Sequence, residues 1–243
     1  MPLGHMEPRS LDELVLKPDT RRMLDLIVSG DMPLALNGEG GLLLYGPPGT
    51  GKTTAAALLP HLLDPVLATR PQKNNVGGWF NIMPTEGIML HEWSCGAGGN
   101  GKNRGINLIN EIENTVKNGE RGESGFAYIT LNEVDELVDG AMGSLRSLMD
   151  RYQNVVWIFT TNHLNKLDAA VMDRSYLLDF GAADLRTWTM RCNQILASNG
   201  LSELSEAIVA PLHANSNGSA RKITSQLQAA VALGRIELPT YGL

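Results

Sequence analysis

Short apolar runs alternate with amphipathic stretches over most of the chain. The apolar runs predict buried strands at 42–45, 87–94, 126–131, 155–161 and 176–180. Apolar residues at helical spacing predict helices at 18–30, 53–59, 106–116 and 143–152. Three prolines and a glycine pair predict a long irregular connection over 64–85. Because strands alternate with helices, the pattern predicts an α/β fold with a parallel, doubly wound sheet.

The pattern changes after Gly181, where only helical spacing continues. Helices are predicted at 183–198, 203–213 and 219–233. This change predicts two domains, an α/β domain over 1–181 and a small all-helical domain over 182–243.

Composition narrows the classes of function. The 243 residues carry a formal net charge of −6, so any contact with nucleic acid must come from a local basic patch. No apolar run reaches the ~18 residues of a membrane span, and no signal-peptide pattern opens the chain. We therefore expect a soluble, cytoplasmic protein without a membrane partner; the cell in which we expect it is bacterial or phage-infected. The two cysteines, Cys95 and Cys192, lack metal-ligand spacing and are expected to be reduced thiols.

A complete phosphate-loop motif follows the first predicted strand. The motif and the residue after it read Gly46-Pro47-Pro48-Gly49-Thr50-Gly51-Lys52-Thr53-Thr54. A glycine-rich turn between a strand and a helix directs backbone N–H groups at phosphate oxygens. Lys52 can then reach the β- and γ-phosphates, and the Thr53 hydroxyl can bind Mg²⁺. The sequence therefore predicts a binding site for a nucleoside triphosphate.

Further polar motifs follow the later strands and open the last predicted helix. They are Asn132-Glu133, Thr160-Thr161-Asn162, Asp173-Arg174-Ser175 and Gly218-Ser219-Ala220-Arg221. In this order the motifs resemble those of the AAA+ ATPases. Within that family, segments 10–15, 103–107 and 144–152 are similar to those of clamp-loader subunits, such as replication factor C and the phage clamp loaders. The resemblance implies a P-loop parallel sheet sandwiched by helices, a helical lid, and hydrolysis of ATP with Mg²⁺.

The resemblance also implies roles in hydrolysis. Glu133 would be the base that polarises the attacking water, and Asn162 would be the polar sensor. Asn132 stands where the family usually has Asp, and its oxygen can still accept a hydrogen bond from a Mg²⁺-bound water. Because the amide lacks charge, we expect weaker Mg²⁺ binding, which Asn132→Asp should strengthen. Asp135 is expected to face solvent or a neighbouring subunit.

Other implied roles lie at the lid and at the subunit boundary. Arg174 would be an arginine finger for a neighbouring subunit's nucleotide, although a local ion pair on the surface explains the same residue. Arg221 would reach the phosphates from the lid. Val15 and Leu16 are candidates for the adenine pocket, and core packing accounts for them nearly as well. The implied assembly is a homo- or hetero-oligomeric ring or spiral of about five or six subunits.

The sequence leaves open what the ATPase acts on, and three classes of function are compared. A clamp-loader-like protein would grip DNA, with Lys102 and Arg104 in the glycine-rich loop on the phosphates, and would act with a sliding clamp. An assembly switch, such as a helicase loader or transposition regulator, fits Asn132 and a chain that ends after the lid without a collar domain. A protein-threading machine is disfavoured because the loop from Cys95 to Gly105 has no aromatic residue.

Overall fold

Five parallel strands form the sheet that organises the larger part of this computed structural model. The structure describes residues 3–4, 6–32, 34, 40–68, 87–96, 105–118, 124–138 and 140–233. The strands are β1 (Gly41–Tyr45), β2 (Met89–Ser94), β3 (Ala127–Asn132), β4 (Val155–Thr161) and β5 (Ser175–Asp179). Their order is β2-β3-β4-β1-β5, and every neighbouring pair is parallel. The predicted parallel α/β sheet is confirmed.

Eight helices accompany the strands in the described part of the chain. They are α1 (Pro18–Ser29), α2 (Lys52–Ala68), α3 (Ile106–Asn118), α4 (Ala141–Arg151), α5 (Ala169–Met172), α6 (Leu185–Ser198), α7 (Glu206–Ser216) and α8 (Ala220–Ala232). None of the helices in these ranges is both long and apolar enough to cross a membrane.

Two compact units divide the chain. One contains Arg22–Tyr45 and Ala56–Asp179, and therefore holds the whole sheet. The other contains Met1–Arg21, Gly46–Ala55 and Phe180–Leu243, which include the phosphate loop and the last three helices. The domain boundary predicted at 181/182 stays a prediction.

The core of the sheet unit is built from the buried strands and the apolar faces of its helices. Every residue of β3 and β4 is buried, which accounts for the mostly apolar sequence of both strands. On α3, Leu108, Ile109, Ile112 and Val116 are buried at helical spacing. Ile106, the first apolar position of that predicted helix, is 52% exposed instead.

Helix α2 is longer than the sequence predicts. It continues through Pro60 and Pro65 to Ala68, so the expected irregular connection from 64 onward is wrong for residues 64–68. Prolines remove backbone donors from a helix interior, but here the apolar residues Leu59, Leu63 and Leu67, spaced four apart, are all buried. Burial of this stripe offsets the cost of the prolines. Residues 69–86 lie outside the described ranges.

The second unit has its own core, and the N-terminal segment packs against it. Trp188, Ile195 and Leu196 of α6 are buried together with residues of α7 and α8. Arg191 of α6 is buried, and its guanidinium donates to the Met6 carbonyl and the Glu13 carboxylate, both at 3.3 Å. Burial lowers the pKa of Arg191. The sequence pattern does not predict that the N-terminal segment belongs with the C-terminal helices.

Candidate functional site

The phosphate loop leaves the end of β1 and folds around its own lysine. Lys52 is buried, and its ammonium donates to the carbonyl oxygens of Gly46 and Pro47, both at 2.7 Å. The Thr50 hydroxyl closes the turn by donating to the Pro47 carbonyl at 2.9 Å. Gly51 has a φ of +97°, in the left-handed region that favours glycine, and a methyl group there would meet nothing within 4 Å. Hydrogen bonds to the Gly46 and Pro47 carbonyls therefore close the first part of the loop, while the space beside Gly51 is open, directly before α2 begins at Lys52.

Helix α8 begins against this loop. The Arg221 N–H donates to the Gly49 carbonyl at 3.2 Å, and Ser219 caps the helix by accepting from the Lys222 N–H. A methyl group on Gly49 would come within 2.5 Å of the Ser219 hydroxyl, so only glycine fits that contact. The structure therefore brings Arg221, predicted from the sequence as a lid residue, to the phosphate loop.

The two adenine-pocket candidates lie in the same unit as the loop. Leu16 is buried, and Val15 is partly buried against the core of the last three helices. This packing gives both side chains a structural role. A role in holding adenine stays a prediction.

At the carboxyl edge of the sheet, polar residues from β3 and β4 form one hydrogen-bonded network. The Thr160 hydroxyl accepts from the Glu133 backbone N–H at 3.1 Å and donates to Asn132 Oδ1 at 3.0 Å. Asn132 is buried, and Asn162 is half-buried directly after β4. These three predicted site residues therefore come from adjacent strand ends of one edge.

Glu133 is held in an unusual backbone conformation. Its φ of +57° and ψ of +47° are left-handed, which is strained for a residue with a side chain. Its carboxylate lies over Gly96, where a methyl group would come within 1.5 Å of Oε2. Sequence reasoning missed Gly96 as a site residue, since only the structure places that glycine beside Glu133.

Two further residues, Asp135 and Cys95, lie near this carboxylate. Asp135 is half-buried and accepts from the Thr161 hydroxyl at 2.7 Å; the expectation that it faces solvent or a neighbouring subunit stays a prediction. This bond joins Asp135 to the last residue of β4. Cys95 is fully buried, and burial, followed by the negative charges of Glu133 and Asp135, raises the pKa of its thiol to about 12.

Arg174 lies away from these residues. It precedes β5, whose first residue pairs with Gly41 at the amino end of β1, so Arg174 is at the opposite edge of the sheet. Five residues of strand separate the two edges by about 13 Å. The guanidinium bonds Asp150 of α4 at 2.6 and 3.2 Å and the Ala170 carbonyl at 2.7 Å. The hydrogen bond with Asp150 is the main cause of its raised pKa.

The remaining predicted residues are the candidates for nucleic-acid contact and the Mg²⁺ ligand of the phosphate loop. Lys102 and Arg104, the candidates for nucleic-acid contact, lie outside the described residues, as does most of the glycine-rich loop around them. Thr53, the candidate Mg²⁺ ligand of the loop, is exposed in the first turn of α2.

A parallel sheet whose strand β1 leads into this phosphate loop, followed by a helical C-terminal region, defines a P-loop fold of the AAA+ class. Consistent with that class, a family model described as the ATPase family associated with various cellular activities (AAA) matches residues 42–179. The match runs from β1 to the last residue of β5. The chain belongs to the AAA ATPase family.

Similar proteins agree with this assignment. Replication factor C small subunit 1 of Pyrobaculum islandicum is 29% identical over 232 residues, which are 94% of this chain and 61% of that protein. The replication factor C small subunit of Aeropyrum pernix is also 29% identical, over 94% of this chain and 62% of that protein. This chain therefore spans less than two thirds of the length of these relatives.

Solved structures share the fold. A Holliday junction branch migration motor, RuvB of Thermotoga maritima, matches with a TM-score of 0.65 at 17% identity, over 95% of this chain and 66% of that one. At this level of identity the likeness bears on the fold alone.

The raised pKa of Cys95, caused mainly by burial, gives a test of the buried position of this residue beside Glu133. At pH 8 a thiol with a pKa of about 12 is ionised to only about one part in 10⁴, and the thiolate is the reactive form. In a Cys192→Ser variant, Cys95 should resist a disulfide reagent in the native protein and react fully in urea. The absorbance of the thiolate released from the reagent measures the extent of reaction. Rapid stoichiometric reaction of the native protein at pH 8 would contradict the buried position.

Proposed function

We propose that this chain binds ATP with Mg²⁺ and hydrolyses it at the interfaces of an oligomer, acting on DNA as a clamp-loader-like replication protein. One observation carries the nucleotide part of the proposal. The loop that holds Lys52 also accepts a backbone hydrogen bond from Arg221 at the start of α8, so the residue that would supply a lid cation begins beside the phosphate-loop cation in one unit. This arrangement suits a polyphosphate, which needs cations from more than one side.

The residues present fit a triphosphate and its metal. The N–H groups at the start of α2 lack partners within the helix and favour an anion, and the open space at Gly51 leaves them accessible. Lys52 would exchange its two loop carbonyls for phosphate oxygens, and Arg221 would add a second cation. Thr53 and Asn132 would hold Mg²⁺, directly or through its water. When bound, Mg²⁺ neutralises charge on the phosphates.

For hydrolysis, we assign the base to Glu133. Its backbone N–H is held by the Thr160 hydroxyl, and its carboxylate lies over Gly96, which leaves room for it. Both contacts favour a carboxylate that is in place at the sheet edge before substrate arrives. Asn162, at the end of the neighbouring strand, is assigned to orient the attacking water. A strained backbone at the proposed base is consistent with a functional constraint.

Two substitutions separate binding from chemistry. Lys52→Ala removes a charge-assisted contact and should weaken ATP affinity by about 10- to 100-fold. Glu133→Gln should keep ATP affinity and lower turnover by about 10²-fold or more. Calorimetry and a phosphate-release assay measure the two effects, with Lys117→Ala on α3 as the matched surface control. Unchanged ATP affinity in Lys52→Ala would end the nucleotide assignment.

We further propose that Arg174 acts on the nucleotide of a neighbouring subunit. Its position at the opposite sheet edge from Asn132 and Glu133 favours action between subunits over action within one chain. A guanidinium fixed at a γ-phosphate stabilises the charge of the transition state, an effect of about 10³–10⁵ in rate where it is measured. In the single chain, Asp150 holds the same guanidinium.

Mixing two variants tests whether neighbouring subunits share an active site in this way. Arg174→Ala subunits can bind ATP, and Lys52→Ala subunits can donate the finger, so a mixture should recover turnover that neither variant has alone. Arg151→Ala, an arginine of α4 that pairs with Glu113, is the matched control and should stay active alone. Demonstrated co-assembly without recovered turnover would count against the finger, as would parent turnover per subunit that does not depend on protein concentration.

The DNA part of the proposal is supported by the likeness to proteins named as replication factor C subunits. Lys102 and Arg104 are the proposed phosphate contacts, and a sliding clamp or a helicase is the proposed protein partner. Contacts to phosphates alone would make binding independent of sequence and sensitive to salt.

Fluorescence anisotropy with unrelated DNA duplexes tests this contact. Binding should require ATP, fall with salt, and weaken for every sequence when Lys102 and Arg104 are both changed to Ala. Two outcomes would contradict the proposed DNA contact: DNA affinity that survives the double change, or no DNA binding by the parent at low salt with ATP. Either would favour a protein partner without DNA contact.

One observation favours a second function. The amide at 132 removes a charge from the metal site, which suits a slowly hydrolysing switch that assembles on DNA, such as a helicase loader or transposition regulator. A turnover far slower than ATP-dependent assembly would favour the switch. Protein threading stays the weakest alternative, because the loop after β2 has no aromatic residue.

A further inference from the structure

Asn132 has a second partner that the sequence motifs do not contain. Its side-chain nitrogen donates to a carboxylate oxygen of Glu92, two residues before the end of β2, at 2.5 Å. Its oxygen accepts from Thr160 of β4 at 3.0 Å. Parallel pairing aligns Ser94 of β2 with Asn132, and Leu131 with Phe159, which brings Thr160 beside Asn132. Glu92 lies two residues before Ser94 and therefore on the same side of β2, within reach of Asn132 along a diagonal.

The partners fix which way the amide points. An ionised carboxylate only accepts hydrogen bonds, so the Asn132 nitrogen must face Glu92. Thr160 has a single proton to donate and gives it to Asn132, while its oxygen accepts from the Glu133 backbone. With the amide turned over, its oxygen would face the carboxylate and its nitrogen the hydroxyl. The network therefore admits one orientation.

We propose that Glu92 is a positioning residue for the metal site, and that it carries the negative charge that position 132 lacks. Its carboxylate holds the amide with Oδ1 away from β2 and polarises it through a charge-assisted hydrogen bond. Oδ1 keeps a second lone pair beside the Thr160 bond, available to a Mg²⁺-bound water. The metal part of this inference rests on the proposed function; the pairing of Glu92 with Asn132 does not.

The pairing reverses the simple expectation for Asn132→Asp. A carboxylate at 132 would stand against the Glu92 carboxylate and lose the hydrogen bond between them. Changing Glu92 to Gln as well would give the new carboxylate an amide donor. The exchanged pair then keeps one negative charge and both hydrogen bonds, with the charge moved from β2 to β3.

A double-mutant cycle tests the inference with the full chain. The parent, Asn132→Asp, Glu92→Gln and the double variant are compared by the Mg²⁺ concentration needed to bind a fluorescent ATP analogue, and by thermal unfolding without nucleotide. Asn132→Asp should raise the Mg²⁺ requirement in the parent and lower it in the Glu92→Gln background, with a coupling of ~5-fold or more. The unfolding temperature should fall in Asn132→Asp and recover in the double variant.

Glu111→Gln is the matched control, because Glu111 is a carboxylate of the same unit that accepts from the side chain of Trp93 on β2. It should leave the effect of Asn132→Asp unchanged. Additive effects in both measurements would overturn the inference. Coupling in unfolding without coupling in Mg²⁺ dependence would keep the pair and overturn its metal role. A parent without Mg²⁺-dependent nucleotide binding would instead overturn the proposed function, while unfolding still reports on the pair.

Discussion

Parallel pairing of the strands is the constraint on which the candidate chemistry depends. Because all five strands run the same way, the chain leaves β3 and β4 at one edge of the sheet. That edge collects Asn132, Glu133 and Asn162 from separate stretches of sequence. The register aligns Ser94 with Asn132 and Leu131 with Phe159, which leaves Asn132 within reach of both neighbouring strands. A slip of one residue would turn these side chains to the other face.

Within that edge, Thr160 aligns two of the candidate site residues, Asn132 and Glu133. Its hydroxyl joins the backbone of Glu133 to the side chain of Asn132, so one group helps to position both the proposed base and the proposed metal ligand. The left-handed backbone of Glu133 is a cost that such a network can sustain, because the residue is tied on both sides. The glycine at 96 completes the arrangement by leaving room for the carboxylate.

The sequence predicts the elements better than their contacts. All five strands and the phosphate loop follow from local signals, apolar runs and glycine spacing, which need no knowledge of neighbours. The length of α2 was missed because proline is a local breaker, whereas the burial of Leu63 and Leu67 that overrides it is a tertiary effect. Glu92 and Gly96 were missed for the same reason, since only strand register brings them to residues about 40 positions away.

The proposed role of Arg174 requires its bonds to Asp150 to exchange for the nucleotide of a neighbouring subunit. Its bonds to Asp150 join side chains that are 29% and 53% exposed, and exposed ion pairs contribute about 0–1 kcal/mol. A triphosphate in a water-excluding interface interacts with a guanidinium far more strongly than that. The ion pair with Asp150 therefore presents no large barrier to the proposed exchange. In the single chain, this pair and the bond to the Ala170 carbonyl give the guanidinium a defined position. Ordering the side chain beforehand reduces the conformational entropy lost when the interface forms.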